Sequence, residues 1–223
     1  MHVLKTSINS NPNIGLYALA TNEYCLIAKE MPEHIAKEFE KVLKVPVHRL
    51  NIAGTPLIGV FLCANSKILL VPDIVFKDEL TELDKLGINY KVIKTKLTAL
   101  GNNILMDDEH AIINPNFSSN TVQELEKLGL KVKKMKIADE IETVGSCAVM
   151  NSKGCIIHRD ATDQELDLIE KSFNIKCQLA TVNMGNAFIR SGLIANDNGF
   201  IIGDLSSGPE IQNIDEGLGF IEY

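Results

Sequence analysis

The chain has 223 residues, 45% of them hydrophobic and 23% charged, with a formal net charge of -7. That is enough chain to bury a sizeable core, and its acidic balance argues against nucleic-acid binding through bulk charge, leaving only a local basic patch for such a role. No apolar stretch approaches the roughly 20 residues that span a bilayer, the start Met1-His2-Val3-Leu4-Lys5 lacks a secretory h-region, and five cysteines without a C-x-x-C pair supply neither a disulfide framework nor a zinc signature, so the expectation is one cytoplasmic domain over residues 1–223.

The first expected element is a strand over residues 2–8, followed by the turn Asn13-Ile14-Gly15. An apolar run, Asn22 and the triplet Cys25-Leu26-Ile27 then predict a hairpin of two largely buried strands. Ile35, Phe39 and Val42, at steps of three or four, mark one apolar face of a helix, and residues 47–52 form a third strand. The order repeats. Leu57-Ile58-Gly59-Val60-Phe61-Leu62-Cys63 and Ile68-Leu69-Leu70-Val71 predict a second hairpin around Asn65. A helix on Phe76, Leu80 and Leu83 follows, stopped by Gly87, and then a strand over 90–97.

The third copy opens on Gly101-Asn102-Asn103, turns at Asp108 into Ala111-Ile112-Ile113, and continues with a helix on Val122, Leu125 and Leu128. Thr121 and Glu124 fit the S/T-x-x-E capping box at its start, Gly129 fits its stop, and residues 132–137 fit the third strand. The fourth copy opens on Thr143-Val144-Gly145, turns at Asn151 into Cys155-Ile156-Ile157, and caps its helix with Thr162 and Glu165 ahead of Leu166, Ile169 and Phe173. A strand over 175–182 follows. The fifth runs from Gly185-Asn186-Ala187 through Asn196 to Phe200-Ile201-Ile202, and its helix starts at the box Ser207 to Glu210 and carries Ile211, Ile214 and Leu218.

Asn22, Asn65, Asp108, Asn151 and Asn196 are separated by 43, 43, 43 and 45 residues. A near-constant period over the whole length predicts one supersecondary unit copied five times, since a lone unit cannot bury its apolar face. The units fall at about 14–56, 57–100, 101–142, 143–184 and 185–223. The single-face helix stripes place helices outside a sheet core. After the fifth helix only Gly219-Phe220-Ile221-Glu222-Tyr223 remain, too few for a third strand, whereas residues 2–8 stand before the first turn as third strands stand before the others. Pairing that N-terminal strand with the last unit predicts a closed five-fold ring without open sheet ends. Cys25 and Cys155, at the position held by Ile68, Ala111 and Phe200 elsewhere, read as small core hydrophobes.

Leu97-Thr98-Ala99-Leu100-Gly101-Asn102, Leu50-Asn51-Ile52-Ala53-Gly54, Thr181-Val182-Asn183-Met184-Gly185-Asn186 and Leu69-Leu70-Val71-Pro72, with the five repeats, resemble the translation initiation factor 6 family in its archaeal form. The resemblance implies the pentein fold, an α+β (α/β propeller) ring of five strand-strand-helix-strand units around a pseudo-five-fold axis. It also implies a non-catalytic function: binding the intersubunit face of the large ribosomal subunit, near the sarcin-ricin loop, and blocking the small subunit. Release by an elongation-factor-like GTPase and its partner protein is implied too; this chain has no G-x-x-x-x-G-K-[ST] loop of its own. No cofactor, metal, DNA or membrane is expected, and the protein is expected to be a monomer.

For the ribosomal contact the resemblance points to the ring end built by the turns before each first strand, with Asn13, Gly15, Ile58, Gly59, Val60, Asn102, Asn103, Gly145 and Asn186 as candidates. Asn102, Ile58 and Val60 match family contact positions. Eukaryotic relatives carry a basic residue where this chain has Val60, so no salt-bridge role transfers there. Glycine and asparagine also recur at such turns for conformational reasons alone. Lys91, Lys94, Lys96, Lys131, Lys133, Lys134 and Lys136 read either as phosphate contacts or, favoured by the acidic charge and the lack of interleaved aromatics, as a lysine-guarded strand edge.

A rival from another class is a guanidino-group-modifying enzyme of the same ring fold with a Cys nucleophile. His158-Arg159-Asp160 and Cys177 supply the residue types, but the final repeat has no Cys and no glycine-rich segment precedes Cys177. His158, at the position of Ala28, Val71 and Asn114, reads as a strand-end surface residue. A small-molecule or scaffolding role for the axial channel is a third reading, without a convergent charged set to support it.

Overall fold

Five times a short antiparallel hairpin is followed by a helix, and in the first four units by a strand that returns parallel to the hairpin's second strand, in a computed structural model that describes residues 2–221. The hairpins are β2 (Ala18–Ala20) with β3 (Cys25–Ala28), β5 (Cys63–Ala64) with β6 (Leu69–Pro72), and β8 (Ile104–Met106) with β9 (His110–Ile113). The last two are β11 (Ala148–Met150) with β12 (Gly154–His158) and β14 (Leu193–Ala195) with β15 (Phe200–Gly203). The parallel third strands are β4 (Val47–Leu50), β7 (Tyr90–Ile93), β10 (Lys131–Lys134) and β13 (Lys176–Ala180). In the fifth sheet that place is taken by β1 (Val3–Thr6), which pairs in parallel with β15 from Val3 opposite Phe200 to Thr6 opposite Gly203. The chain therefore has the pentein fold, closed by its N-terminal strand.

First strands line the axis and helices lie outside. Ala18, Leu19, Leu105, Ala148, Val149 and Ile194 are among the residues around an axial cavity of about 80 Å³. The helices Glu33–Leu43, Lys77–Lys85, Ser119–Lys127, Asp163–Phe173 and Gly208–Gly217 each turn one apolar face inward. Phe39, Leu83, Leu125, Ile169 and Ile214 are all fully buried on those faces. Phe76 departs from the expected stripe, standing at a helix N-cap with 55% exposure. Cys25 and Cys155 are fully buried among aliphatic side chains, as expected. Among the described residues no helix is long and apolar enough to cross a membrane.

Two of the three expected capping boxes form. Thr162 and Ser207 cap their helices while Glu165 and Glu210 reach back to the cap amides. Thr121 does not cap: Ser118 does, its hydroxyl accepting from Thr121 N, and Thr121 is buried one turn inside the helix. The segment 118–121 offers several competing cap residues, and burial of Phe117 selects the earlier start. A third carboxylate, Glu79, caps from the same position, accepting from Phe76 N.

Each of these glutamates also ties two neighbouring units. Glu79 accepts from Ala53 N and Gly54 N, Glu165 from Ala138 N and Asp139 N, and Glu210 from Met184 N and Gly185 N. The loops they hold have positive φ, as at Ala53 (52°) and Asp139 (62°), conformations that need such support. Burial works against the charged form of Glu210, but bonds from Ser207, Gly185 and Thr181 outweigh it and hold its pKa below the ordinary value. Its stabilising contribution is therefore complete above the normal carboxylate range and is lost as pH falls through the lowered value. Glu210→Ala is expected to cost about 2–4 kcal/mol and to make stability less sensitive to acid, checked by urea titrations at pH 7 and pH 3.5; unchanged midpoints at pH 7 would contradict this role.

At the hairpin tips the repeated polar residue sits one position earlier than expected in two units. Thr21, Asn65, Asp107, Asn151 and Asn196 accept from amides two and three residues on. Asn22 and Asp108 instead bond across unit boundaries, to Asp197 and Ser66. A 43-residue spacing counted on Asn and Asp alone misses Thr21, whose hydroxyl makes the same turn.

Candidate interaction surface at one end of the ring axis

Before each first strand the chain makes one helical turn, at Ile14–Leu16, Ile58–Phe61, Leu100–Asn103, Val144–Ser146 and Ile189–Gly192. The run 57–63 thus starts helical and extends only from Cys63. Short apolar runs do not distinguish the two by periodicity. The first residue of every turn, Ile14, Ile58, Leu100, Val144 and Ile189, is fully buried and anchors it. Successive turns touch, and the last touches the first, which closes the ring at this end.

The second residue of each turn sets how closely neighbours approach. It is glycine four times. A Cβ on Gly15 would lie 1.9 Å from Arg190 O, on Gly59 1.9 Å from Gly15 O, on Gly101 2.1 Å from Gly59 O, and on Gly145 2.3 Å from Gly101 O. These glycines are present because a neighbour's backbone occupies the side-chain position.

In the fifth turn this place belongs to Arg190, so the turn equivalent to Ile14-Gly15 is Ile189-Arg190 rather than Asn186-Ala187. The Arg190 side chain enters the axis and crosses to the second unit, where Nε donates to Gly59 O at 3.3 Å and Nη2 to Leu62 O at 3.2 Å. It lines both the axial cavity and the funnel above it. Burial pushes its pKa down. Nearby, burial pushes the Cys63 thiol up to about 11, against the opposing pull of Arg190. Arg190 therefore stoppers the channel and gives this end of the ring a solid floor.

Above that floor is a funnel of about 390 Å³ lined by Asn13, Gly15, Gly59, Asn102 and Asn186 among the expected residues. Leu16, Thr143, Ser146, Phe188, Arg190 and Ser191 complete it. The other expected residues sit elsewhere. Ile58 is fully buried beneath the rim, and Gly145 is buried against Gly101. Asn103 is 4% exposed, donating to Ala99 O and accepting from Asn114 Nδ2. Val60 is half-buried, with its carbonyl against Gly101. Asn186 is engaged within the chain, bonded to Ser191 Oγ and Phe188 N. Among the described residues no chain partner takes the side-chain amide of Asn13 or Asn102, although their backbones are held rigidly.

β7, which holds Lys91, and β10, which holds Lys131, Lys133 and Lys134, are sheet edges, whereas Lys94, Lys96 and Lys136 lie in the segments after these strands, which end sooner than expected. Lys131 lies 3.4 Å from Glu109 and Lys136 3.5 Å from Glu142, while Lys134 donates to Phe117 O. His158 is 6% exposed, not a surface residue: β12 ends beneath the turn of unit five, and Phe188 packs edge-on against the ring at 5.6 Å. Burial lowers its pKa, only partly offset by Asp160. Cys177 pairs with Cys155, three residues along β12 from His158, which sets Cys177 and His158 about 10 Å apart. They cannot share a proton, so this Cys and His do not form a nucleophile and base.

The sequence model of the eIF-6 family matches residues 3–217. Relatives named translation initiation factor 6 include that of Thermococcus onnurineus, 35% identical and aligned over 100% of both chains. That of Pyrococcus horikoshii is 33% identical over 99% of this chain and 100% of its own, and that of Saccharolobus islandicus 35% over 98% and 100%. Solved structures with similar coordinates include DDAH from Pseudomonas aeruginosa complexed with citrulline, at TM-score 0.47 and 13% identity over 92% of this chain and 74% of that one. C. jejuni agmatine deiminase matches at TM-score 0.48 and 12% identity over 75% and 65%. Similarity at that level carries no activity across.

Proposed function

The chain belongs to the eIF-6 family, whose named members are translation initiation factors, and on that footing we propose that it binds the large ribosomal subunit and sterically keeps the small subunit from joining. The observation that favours the funnel end as the contact is the pair of rigidly held, unengaged amides of Asn13 and Asn102 on a glycine-tight rim, beside the 42% exposed ring of Phe188. Amides that bond nothing within the chain are matched to the polar groups of a wet interface, and an exposed aromatic beside them is a typical anchor.

Blocking of this kind needs no chemistry. A rigid body prevents joining as long as its residence time exceeds the arrival time of the small subunit, so affinity and slow release carry the function. The chain acts in this reading as a monomer, near the sarcin-ricin loop, and an external GTPase with its partner protein removes it. The funnel-lining Asn13, Gly15, Gly59, Asn102 and Asn186 make the contact, with the half-buried Val60 next in the chain to Gly59, while Ile58, Asn103 and Gly145 shape the surface from beneath.

Asn102→Arg places a long charged side chain on the rim. It is expected to leave the melting temperature within about 2 °C of wild type, as for surface changes, and to weaken co-sedimentation with large subunits at least about 10-fold, or about 1.4 kcal/mol. Wild-type binding by this variant would remove the funnel end from the contact.

A further inference from the structure

Cys155 on β12 and Cys177 on β13 are register partners on adjacent parallel strands. Such partners point to the same face with backbones about 4.8 Å apart, inside the Cα separation of roughly 4.4–6.8 Å that a disulfide requires. Both side chains belong to the cluster between this sheet and the helix Asp163–Phe173, Cys155 fully buried and Cys177 packed against it while partly exposed. Glu170 fixes the edge strand here, its Oε1 accepting from Cys177 N at 2.9 Å. Cys25, Cys63 and Cys147 have no cysteine as a strand partner among the described residues.

We propose that Cys155 and Cys177 are an oxidation-sensitive thiol pair that closes to a disulfide when Cys177 meets a hydroperoxide. The Cys177 sulfur, as thiolate, attacks one peroxide oxygen; the O–O bond breaks, leaving a sulfenic acid on Cys177 and releasing water or an alcohol once the departing oxygen takes a proton. The Cys155 sulfur then attacks the Cys177 sulfur, the S–O bond breaks, and the Cys155 proton leaves with the hydroxide as water. Two electrons pass from the two thiols to the peroxide, and a dithiol reductant returns them. Exposure decides the order. Cys177 meets solvent, whereas the buried Cys155 thiol, held protonated by Cys177 and by desolvation, acts second. The cross-link would tie β13, an outer strand, to β12 and close the loop that carries the fourth helix.

The test treats the full chain with hydrogen peroxide and then counts free thiols after denaturation. The five thiols are expected to fall to three, with an intact mass about 2 Da lower, a 155–177 linked peptide, and a melting temperature raised by roughly 5–10 °C. Dithiothreitol should reverse all of these. Five surviving thiols, or Cys177 gaining oxygen without a cross-link, would overturn the proposal. In Cys155→Ser the sulfenic acid on Cys177 should persist and be trapped by dimedone; loss of two thiols in that variant would assign the cross-link elsewhere and overturn it too.

Discussion

A chain lacking residues 1–8 is expected to melt roughly 10–20 °C below the full-length protein. The deletion removes β1, which pairs with β15 at four positions, and the bond from Phe200 N to His2 O at 2.8 Å. It also removes Ile8, only 4% exposed, Leu4 packed on the first core cluster, and the 2.8 Å contact of His2 Nε2 with Asp215 that spans the two ends of the chain. Aliphatic burial at about 1.5–3 kcal/mol per side chain, with the strand's hydrogen bonds, makes a loss of about 5 kcal/mol. At roughly 2–4 °C per kcal/mol for a chain of this size, that is the stated shift. The exposed edge of β15, carrying Phe200, Ile201 and Ile202, should also make the shortened chain prone to associate. A wild-type melting temperature would mean that β1 is an ornament on a ring held shut by other contacts.

Gly59→Ala is expected to cost about 3–5 kcal/mol, a large effect for one added methyl. The new carbon would lie 1.9 Å from Gly15 O and 2.6 Å from Ala18 O. Both obstacles are backbone, so relief requires moving the neighbouring unit, and that unit is itself wedged between Gly59 and Arg190. Arg190 adds to the cost, because its bond to Gly59 O depends on the same backbone position. Gly208→Ala provides the contrast, since nothing lies within 4 Å of a Cβ there, and it should leave stability unchanged to within about 0.5 kcal/mol. Guanidinium titrations of both variants test the point; equal midpoints would mean that the axial glycines serve turn conformation only.

These cases also show which features the sequence displayed. The strand-strand-helix-strand order was legible because each element carries its own period, and ring closure was legible because the last unit lacks a strand that residues 2–8 can provide. Arg190 was hidden by a local offset: matching Gly185-Asn186 to the earlier Gly and Asn turns shifted the fifth copy, whereas the buried residue before the axial position, Ile14, Ile58, Leu100, Val144 and Ile189, gives the true alignment. His158 looked like a surface residue because histidine tolerates water, yet it lies under Phe188, a neighbour that only the ring brings near. Of the expected contact residues, those with rim side chains and those that shape the rim from below were indistinguishable in sequence. Asn102 and Asn103 are adjacent and identical in type, and a helical turn directs one to the funnel and the other to Asn114.

In the proposed function this ring occupies the joining face of the large subunit. The most direct test is sucrose-gradient sedimentation of purified large and small subunits mixed with rising amounts of the protein. The protein is expected to travel with free large subunits, to be absent from the joined peak, and to shrink that peak in proportion to its occupancy. A joined peak that keeps its height at saturating protein, or that carries the protein with it, would contradict the account.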